Sequence, residues 1–181
     1  AGLLLDKSEY LLELLRIHEE PLKAGGKPII REGPRLMIYG SMIAEGDDKV
    51  LDLIKQAGGN IVTDASCSGY TFWRKDVTVK ADLLNALAER YLYNIPCPFR
   101  TDLPLRLNYI LRMAREYRVN GLIYYTLKYC ELFRAEVKVF EEMLRKELGI
   151  PTLLIETEYS PADTEAIRTK VEAFLEMIRG A

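Results

Sequence analysis

The chain alternates short apolar runs with longer segments in which apolar residues recur every three or four positions, the patterns of strands and of amphipathic helices. The first periodic segment, Leu3 to Lys23, predicts a helix with Asp6 as its cap and Leu11, Leu14, Leu15 and Leu22 on one stripe, closed by Gly25, Gly26 and Pro28. After a turn at Gly33-Pro34, the run Leu36-Met37-Ile38-Tyr39 reads as a buried strand that leads straight into Gly40-Ser41. Asp47 to Ala57 is a second helix, ending at Gly58-Gly59, and Asn60 to Thr63 is a second strand running into Asp64-Ala65-Ser66-Cys67.

Ala81 to Tyr93 reads as a third helix. Asn94-Ile95-Pro96-Cys97 reads as a very short strand or an extended loop, since Pro96 removes a ladder donor, and is taken as the strand. Asp102 caps a helix with Pro104 in its first turn, running to about Tyr117, and Gly121 to Thr126 is the clearest strand of all. Glu131 to Leu148 is a long amphipathic helix stopped by Gly149, Pro151 to Ile155 is the last strand, and Ser160-Pro161-Ala162-Asp163 opens the final helix.

Strands that alternate with helices in this way predict an α/β domain, because each parallel crossover needs a helix. The expected architecture is an open, doubly wound parallel sheet of four to five strands with helices on both faces, plus an N-terminal helix. Residues 1–33 form the helical extension and linker, and 34–181 a Rossmann-like or flavodoxin-like domain.

On this topology the three cysteines of the chain fall at related places: Cys67 after the second strand, Cys97 at the third, Cys130 after the fourth. In an open α/β sheet those strand ends share one edge, where ligands bind. Separations of 30 and 33 residues each equal one strand-plus-helix unit, the spacing a three-thiolate site needs. Thiolates are the usual ligands of iron–sulfur clusters, and three of them on a four-iron cubane leave one iron open for chemistry. Cys130 precedes the start of a helix, whose amides and positive end favour a thiolate, and Cys97 stands between Pro96 and Pro98 on a stiff segment. The alternative is that all three are small buried hydrophobes. Zinc fits less well, since there is no close Cys-x-x-Cys pair and His18, the one histidine, lies on an amphipathic helix.

Other candidates carry weaker signals. Neither G-x-x-x-x-G-K-[ST] nor G-x-G-x-x-G occurs, and Ser41 has no G-x-S-x-G around it, so a substrate contact suits it better than nucleophilic catalysis. Glu156 and Glu158 reach the same sheet edge, where a solvated pair is the ordinary alternative; Glu156 and Ser41 are kept as weak catalytic candidates. Tyr124 and Tyr125 read as core, Tyr129 as the tyrosine facing the crevice, and Trp73-Arg74-Lys75 as a cationic flap near a phosphate of a bound ligand or as plain surface.

Composition narrows the setting. At 181 residues, with 49% hydrophobic and 29% charged side chains, the chain suits one globular domain. A net charge of −2 with no Lys/Arg run beyond two residues gives no footprint for nucleic acid. No apolar stretch approaches the ~20 residues that span a bilayer, and Ala1 to Tyr10 lacks a secretory pattern, so the expected location is the cytoplasm, with no membrane partner.

Several segments then resemble a known family in order along the chain. They are Tyr39-Gly40-Ser41-Met42, Asp64-Ala65-Ser66-Cys67-Ser68-Gly69, Ala88-Glu89-Arg90-Tyr91-Leu92 with Ile95-Pro96-Cys97-Pro98, the tyrosine-rich strand from Asn120 to Cys130, and Ile155-Glu156-Thr157-Glu158-Tyr159-Ser160. Together they are similar to the C-terminal half of the D-component family of 2-hydroxyacyl-CoA dehydratases, which also holds benzoyl-CoA reductase subunits and double-cubane cluster proteins. The resemblance implies a 4Fe-4S or double-cubane iron–sulfur cofactor, with Cys130 matching the family's C-terminal ligand and Cys67 and Cys97 matching positions that are cysteines in part of it. Retaining both looks more like the double-cubane branch.

The resemblance further implies an acyl-CoA substrate, a low-potential electron from a separate ATP-dependent iron–sulfur activator, a ketyl radical from which a 2-hydroxyl leaves, and a dimeric assembly. A double-cubane reductase or electron-transfer protein, a benzoyl-CoA reductase subunit, and a non-catalytic α/β interaction domain are the alternatives. Family members are about twice this length and take further cluster cysteines from an N-terminal half, so the resemblance makes that half, or a partner subunit, part of the working site.

Overall fold

The computed structural model describes residues 6–23, 32–67, 69, 71, 75–93, 95–99 and 102–180, without the side chains of 21–22. The chain divides into two compact units, 1–31 and 32–181. The first contains helix α1, Lys7–Lys23. Asp6 Oδ1 caps it, accepting from the amides of Ser8 at 2.9 Å and Glu9 at 3.4 Å. Ion pairs from Arg16 to Glu13 and Glu20, and from Lys23 to Glu19, run along its surface. Leu11, Leu14 and Leu15 are exposed. The expected helix start at Leu3, the stripe position at Leu22 and the stop at Gly25, Gly26 and Pro28 lie outside what is described.

The second unit is built on four parallel strands: β1 Arg35–Gly40, β2 Asn60–Ser66, β3 Gly121–Leu127 and β4 Thr152–Thr157, in the order β2-β1-β3-β4. Strand residues alternate between two cores. Leu36, Ile38, Ile123 and Tyr125 face one side, against α2 (Lys49–Gln56). Met37, Tyr39, Leu122 and Tyr124 face the other. Because β1 and β3 are covered on both faces, they read as continuous apolar runs. The chain turns from β1 to β2 on one side and to β3 on the other, so the switch point, where such sheets bind ligands, lies at the carboxyl ends of β1 and β3.

Two expectations need correction. The helix predicted over Ala81–Tyr93 is α3 (Leu83–Ala88) followed by a π-helical turn, Glu89–Tyr93. The wider turn accompanies a buried Arg90, whose Nε donates to the Lys75 carbonyl at 2.6 Å. The short strand predicted at Asn94–Cys97 is not found: Asn94 lies outside the described residues, 95–99 is irregular, and the sheet has four strands among the described residues. Prolines on both sides of Cys97 deny the segment its ladder donors.

The later helices follow the predicted pattern. Helix α4, Leu103–Glu116, carries an Asp102 cap that accepts from the Leu105 amide. Helix α5, Glu131–Leu148, ends at Gly149 in the left-handed region, and α4 and α5 together cover the Tyr39 face. Ser160 caps a 3-10 turn, Pro161–Asp163, before α6, Thr164–Arg179, which joins α2 on the opposite face.

Lys49, at the start of α2, ties the far rim together. Its ammonium, on a side chain 10% exposed, donates to Thr157 Oγ1 at 2.8 Å, to the carbonyls of Glu158 and Ser160 at 2.8 and 2.7 Å, and to Asp163 Oδ1 at 2.6 Å. Burial opposes ionisation of Asp163, but hydrogen bonds from Lys49 and Thr157 prevail and hold its carboxyl below the usual carboxylate range. The resulting stability is present above the ordinary Asp pKa and fades as pH falls below about 4. Lys49→Met keeps the apolar stem and deletes the charge, so urea unfolding at pH 7 should show a loss of about 2 kcal/mol.

Candidate functional site

At the switch point, β1 ends on Gly40 at φ 140°, where an added Cβ would sit 1.8 Å from the Tyr125 carbonyl oxygen. Only glycine allows this approach, which lets the Ser41 amide donate to the same carbonyl at 2.9 Å. The Gly40 carbonyl in turn lies 3.7 Å from Cys67 Sγ. A cavity of about 90 Å³ opens here, with Tyr39, Gly40, Ser66, Cys67, Cys97 and Phe133 in its wall.

Cys67 follows β2 directly and reaches the surface. The protein packed round its inner side nevertheless pushes its thiol up to about 11, with the neighbouring Cys97 and Cys130 thiols and Asp64 adding to the rise. Cys97 is half-buried between two buried prolines. Its loop is held from below by Arg106, 2% exposed on α4, which donates to the Cys97 carbonyl at 3.0 Å and pairs with Glu136 of α5.

Cys130 is half-buried at the N-cap of α5 and accepts no amide on its sulfur, contrary to the expectation that the helix end would hold it. It packs against the edge of the aromatic core, and Phe133, one turn further along α5, lines the cavity. Cys67 and Cys97 thus share a cavity wall, and Cys130 lies within electrostatic reach of Cys67 without lining that wall. Among the described residues no three His, Cys, Asp or Glu side chains are closed into a metal-binding group. The fit to a soft metal or iron–sulfur group is therefore one of donor chemistry and common location, and binding requires the thiols to turn toward each other.

The remaining candidates separate clearly. Ser41 is buried at the end of β1 with an unpartnered hydroxyl, but does not line the cavity. Glu156 pairs with Arg134 at 3.0 Å and Glu158 with Lys128 at 3.0 Å, both at the surface. Tyr124 donates to the Phe133 carbonyl at 2.9 Å, and Tyr125 packs in the opposite core, 3.5 Å from Asp47. Tyr129, at φ 67°, is 88% exposed and does not line the cavity; His18 is exposed on α1. Trp73 and Arg74 lie outside the described residues.

Three residues of the site were missed: Tyr39, Arg106 and Glu136. The available signal was a charge on an apolar stripe, since Arg106 is in register with Ile110 and Met113, and Glu136 with Phe133 and Phe140. Burial drives the Tyr39 phenol far above its ordinary value, with Arg106 pulling down and Glu136 pushing up, so it remains a neutral donor. A larger opening of about 560 Å³ on the α2 side shares Ser66 with the thiol cavity. It presents Glu45, Asp48 and Asp64 against Lys55, a poor setting for a phosphate chain.

A family model described as 2-hydroxyglutaryl-CoA dehydratase, D-component, matches residues 1–178. YjiM of Escherichia coli (strain K12), a dehydratase subunit by name, is 32% identical over 145 residues, which is 80% of this chain and 38% of the relative. The (R)-phenyllactyl-CoA dehydratase beta subunit of Clostridium sporogenes is 28% identical over 177 residues, 96% of this chain and 45% of that protein. The chain thus spans less than half the length of these relatives. No helix among the described residues is long and apolar enough to cross a membrane.

Proposed function

The chain belongs to the 2-hydroxyglutaryl-CoA dehydratase D-component family, and from that membership and its three neighbouring thiols we propose that it is the iron–sulfur-binding portion of a 2-hydroxyacyl-CoA dehydratase. Cys67, Cys97 and Cys130 are the ligands in this reading. The observation that carries it is the meeting of Cys67 and Cys97, thirty residues apart, in one cavity wall at the switch point, with the Cys130 thiol close enough to raise that of Cys67. Dispersed, separately buried cysteines would not raise one another's pKa.

When bound, an iron–sulfur cluster supplies one-electron chemistry at low potential. The protein's own part is positional. Gly40 brings the β1 and β3 backbones together beneath the cavity, Arg106 holds the Cys97 loop, and the aromatic cluster of Tyr39, Tyr124, Phe133 and Phe140 closes the floor against water. A partner subunit or the remaining length of a family-sized protein completes the assembly, which takes its electron from an ATP-dependent activator in the cytoplasm. Ser41 and Glu156 remain the weakest of the proposed contacts to substrate.

Anaerobic reconstitution with iron and sulfide tests this reading. The expected product binds iron and acid-labile sulfide, with the visible absorption of thiolate-ligated iron. A chain that emerges free of iron, with its three thiols still titratable, overturns the assignment. A loaded protein whose spectrum ignores added acyl-CoA instead marks an electron-transfer protein or a reductase of the double-cubane type that acts on small molecules without CoA.

A further inference from the structure

We propose that Asp64 is the residue that sets Cys67 in the wall it shares with Cys97, acting through the loop backbone and not on the sulfur itself. The inference rests on the reading of the cysteines as ligands and names a positioning residue outside that set. Asp64 stands opposite Ile38 in the register of β2 and β1, and lines the opening on the α2 side. Ala65 and Cys67 line the thiol cavity instead. Asp64 Oδ1 accepts from the Ser66 amide at 2.6 Å, and the Ser66 carbonyl accepts from the Gly69 amide at 3.3 Å. Gly69 then comes back against the same carboxylate: a Cβ there would lie 1.9 Å from Oδ2 and 2.6 Å from Oδ1.

The chain leaving β2 is thus wound round one carboxylate, with Cys67 between its two contacts. A short carboxylate that bonds the amide two residues on bends the backbone out of its extended path. Here the bend falls where Ser66 pairs with Gly40, the last residue of β1. A strand that ran on would advance about 3.3 Å per residue and carry Cys67 past that end. The Cys67 sulfur instead lies 3.7 Å from the Gly40 carbonyl, in the wall that also holds Cys97. Gly69 completes the device, since a larger residue would drive the carboxylate off the Ser66 amide. Groups behind a ligand that fix its direction typically carry about tenfold to a hundredfold in metal affinity.

Cadmium affinity, measured by competition, tests the role. Asp64→Ala should bind about tenfold more weakly than wild type. Asp64→Asn, which drops the charge but keeps an acceptor for the Ser66 amide, should bind as wild type does. Gly69→Ala should weaken binding too, yet add nothing to Asp64→Ala, where the carboxylate it would strike is gone. In a Cys67→Ala background Asp64→Ala should cost nothing, because no sulfur is left to position, whereas a general loosening of the fold would still weaken the hold of Cys97 and Cys130. Asp64→Asn as weak as Asp64→Ala would assign the effect to charge, and a further loss in the Cys67→Ala background would assign it to folding. Either result, or wild-type affinity in Asp64→Ala, overturns the role of Asp64 alone. Wild type that binds no cadmium overturns the ligand assignment and this role with it.

Discussion

Replacing Arg106 by Met should cost about 3 kcal/mol in denaturant unfolding at pH 7, because breaking a buried pair strands its partner. Arg106 is 2% exposed, and Glu136, on a side chain 17% exposed, is what it would leave behind. The change also removes the donor to the Cys97 carbonyl, so Cys97 should react faster with a thiol reagent than in wild type. The double change Arg106→Met with Glu136→Leu separates the two roles. Apolar replacement of a whole buried pair is commonly neutral, so stability should largely return. The Cys97 carbonyl stays unheld, so its reactivity should remain high. Recovery of both would reduce Arg106 to a packing element with no bearing on the site.

The degree to which this arrangement was legible in the sequence follows from what periodicity encodes. Strands β1 and β3 stand out because both faces are buried, leaving runs such as Leu36 to Tyr39 and Leu122 to Tyr125 without a polar break. Helix α5 was readable from end to end, since Glu131 opens it and Gly149 closes it in the left-handed region. The segment before Cys97 misled because a β-like composition around Ile95 says nothing about whether a neighbouring strand is in reach, and two prolines decide against it. Arg90 and Arg106 were hidden for a different reason. A cation on a helix reads as solvated by default, and turning it inward depends on acceptors, Lys75 and Cys97 backbone and Glu136, that come from elsewhere in the chain. Tyr39 passed as ordinary core because the pattern records its ring and not the Arg106–Glu136 pair that its hydroxyl meets.

Between pH 7 and pH 9 the affinity of the chain for a thiophilic divalent ion should rise about a hundredfold through Cys67 alone, about tenfold per pH unit for the one proton it must release. The sign follows from the state of the empty site. Burial, then the neighbouring Cys97 and Cys130 thiols and Asp64, lift the Cys67 pKa from 9.0 to about 11, so at neutral pH the sulfur is protonated and a metal must displace that proton. In the absence of metal the same shift runs the other way for stability. The folded chain holds its Cys67 proton more tightly than the unfolded one, so this contribution is complete below about pH 9 and disappears as pH climbs toward 11. Cadmium or cobalt competition titrations at pH 7, 8 and 9 read the effect directly. Cys67→Ala should flatten the plot of log affinity against pH by one unit of slope, and Cys130→Ala should weaken binding at every pH by removing a ligand. An unchanged slope in Cys67→Ala would mean that the metal is held elsewhere, and the three thiols would then be neighbours without being a site.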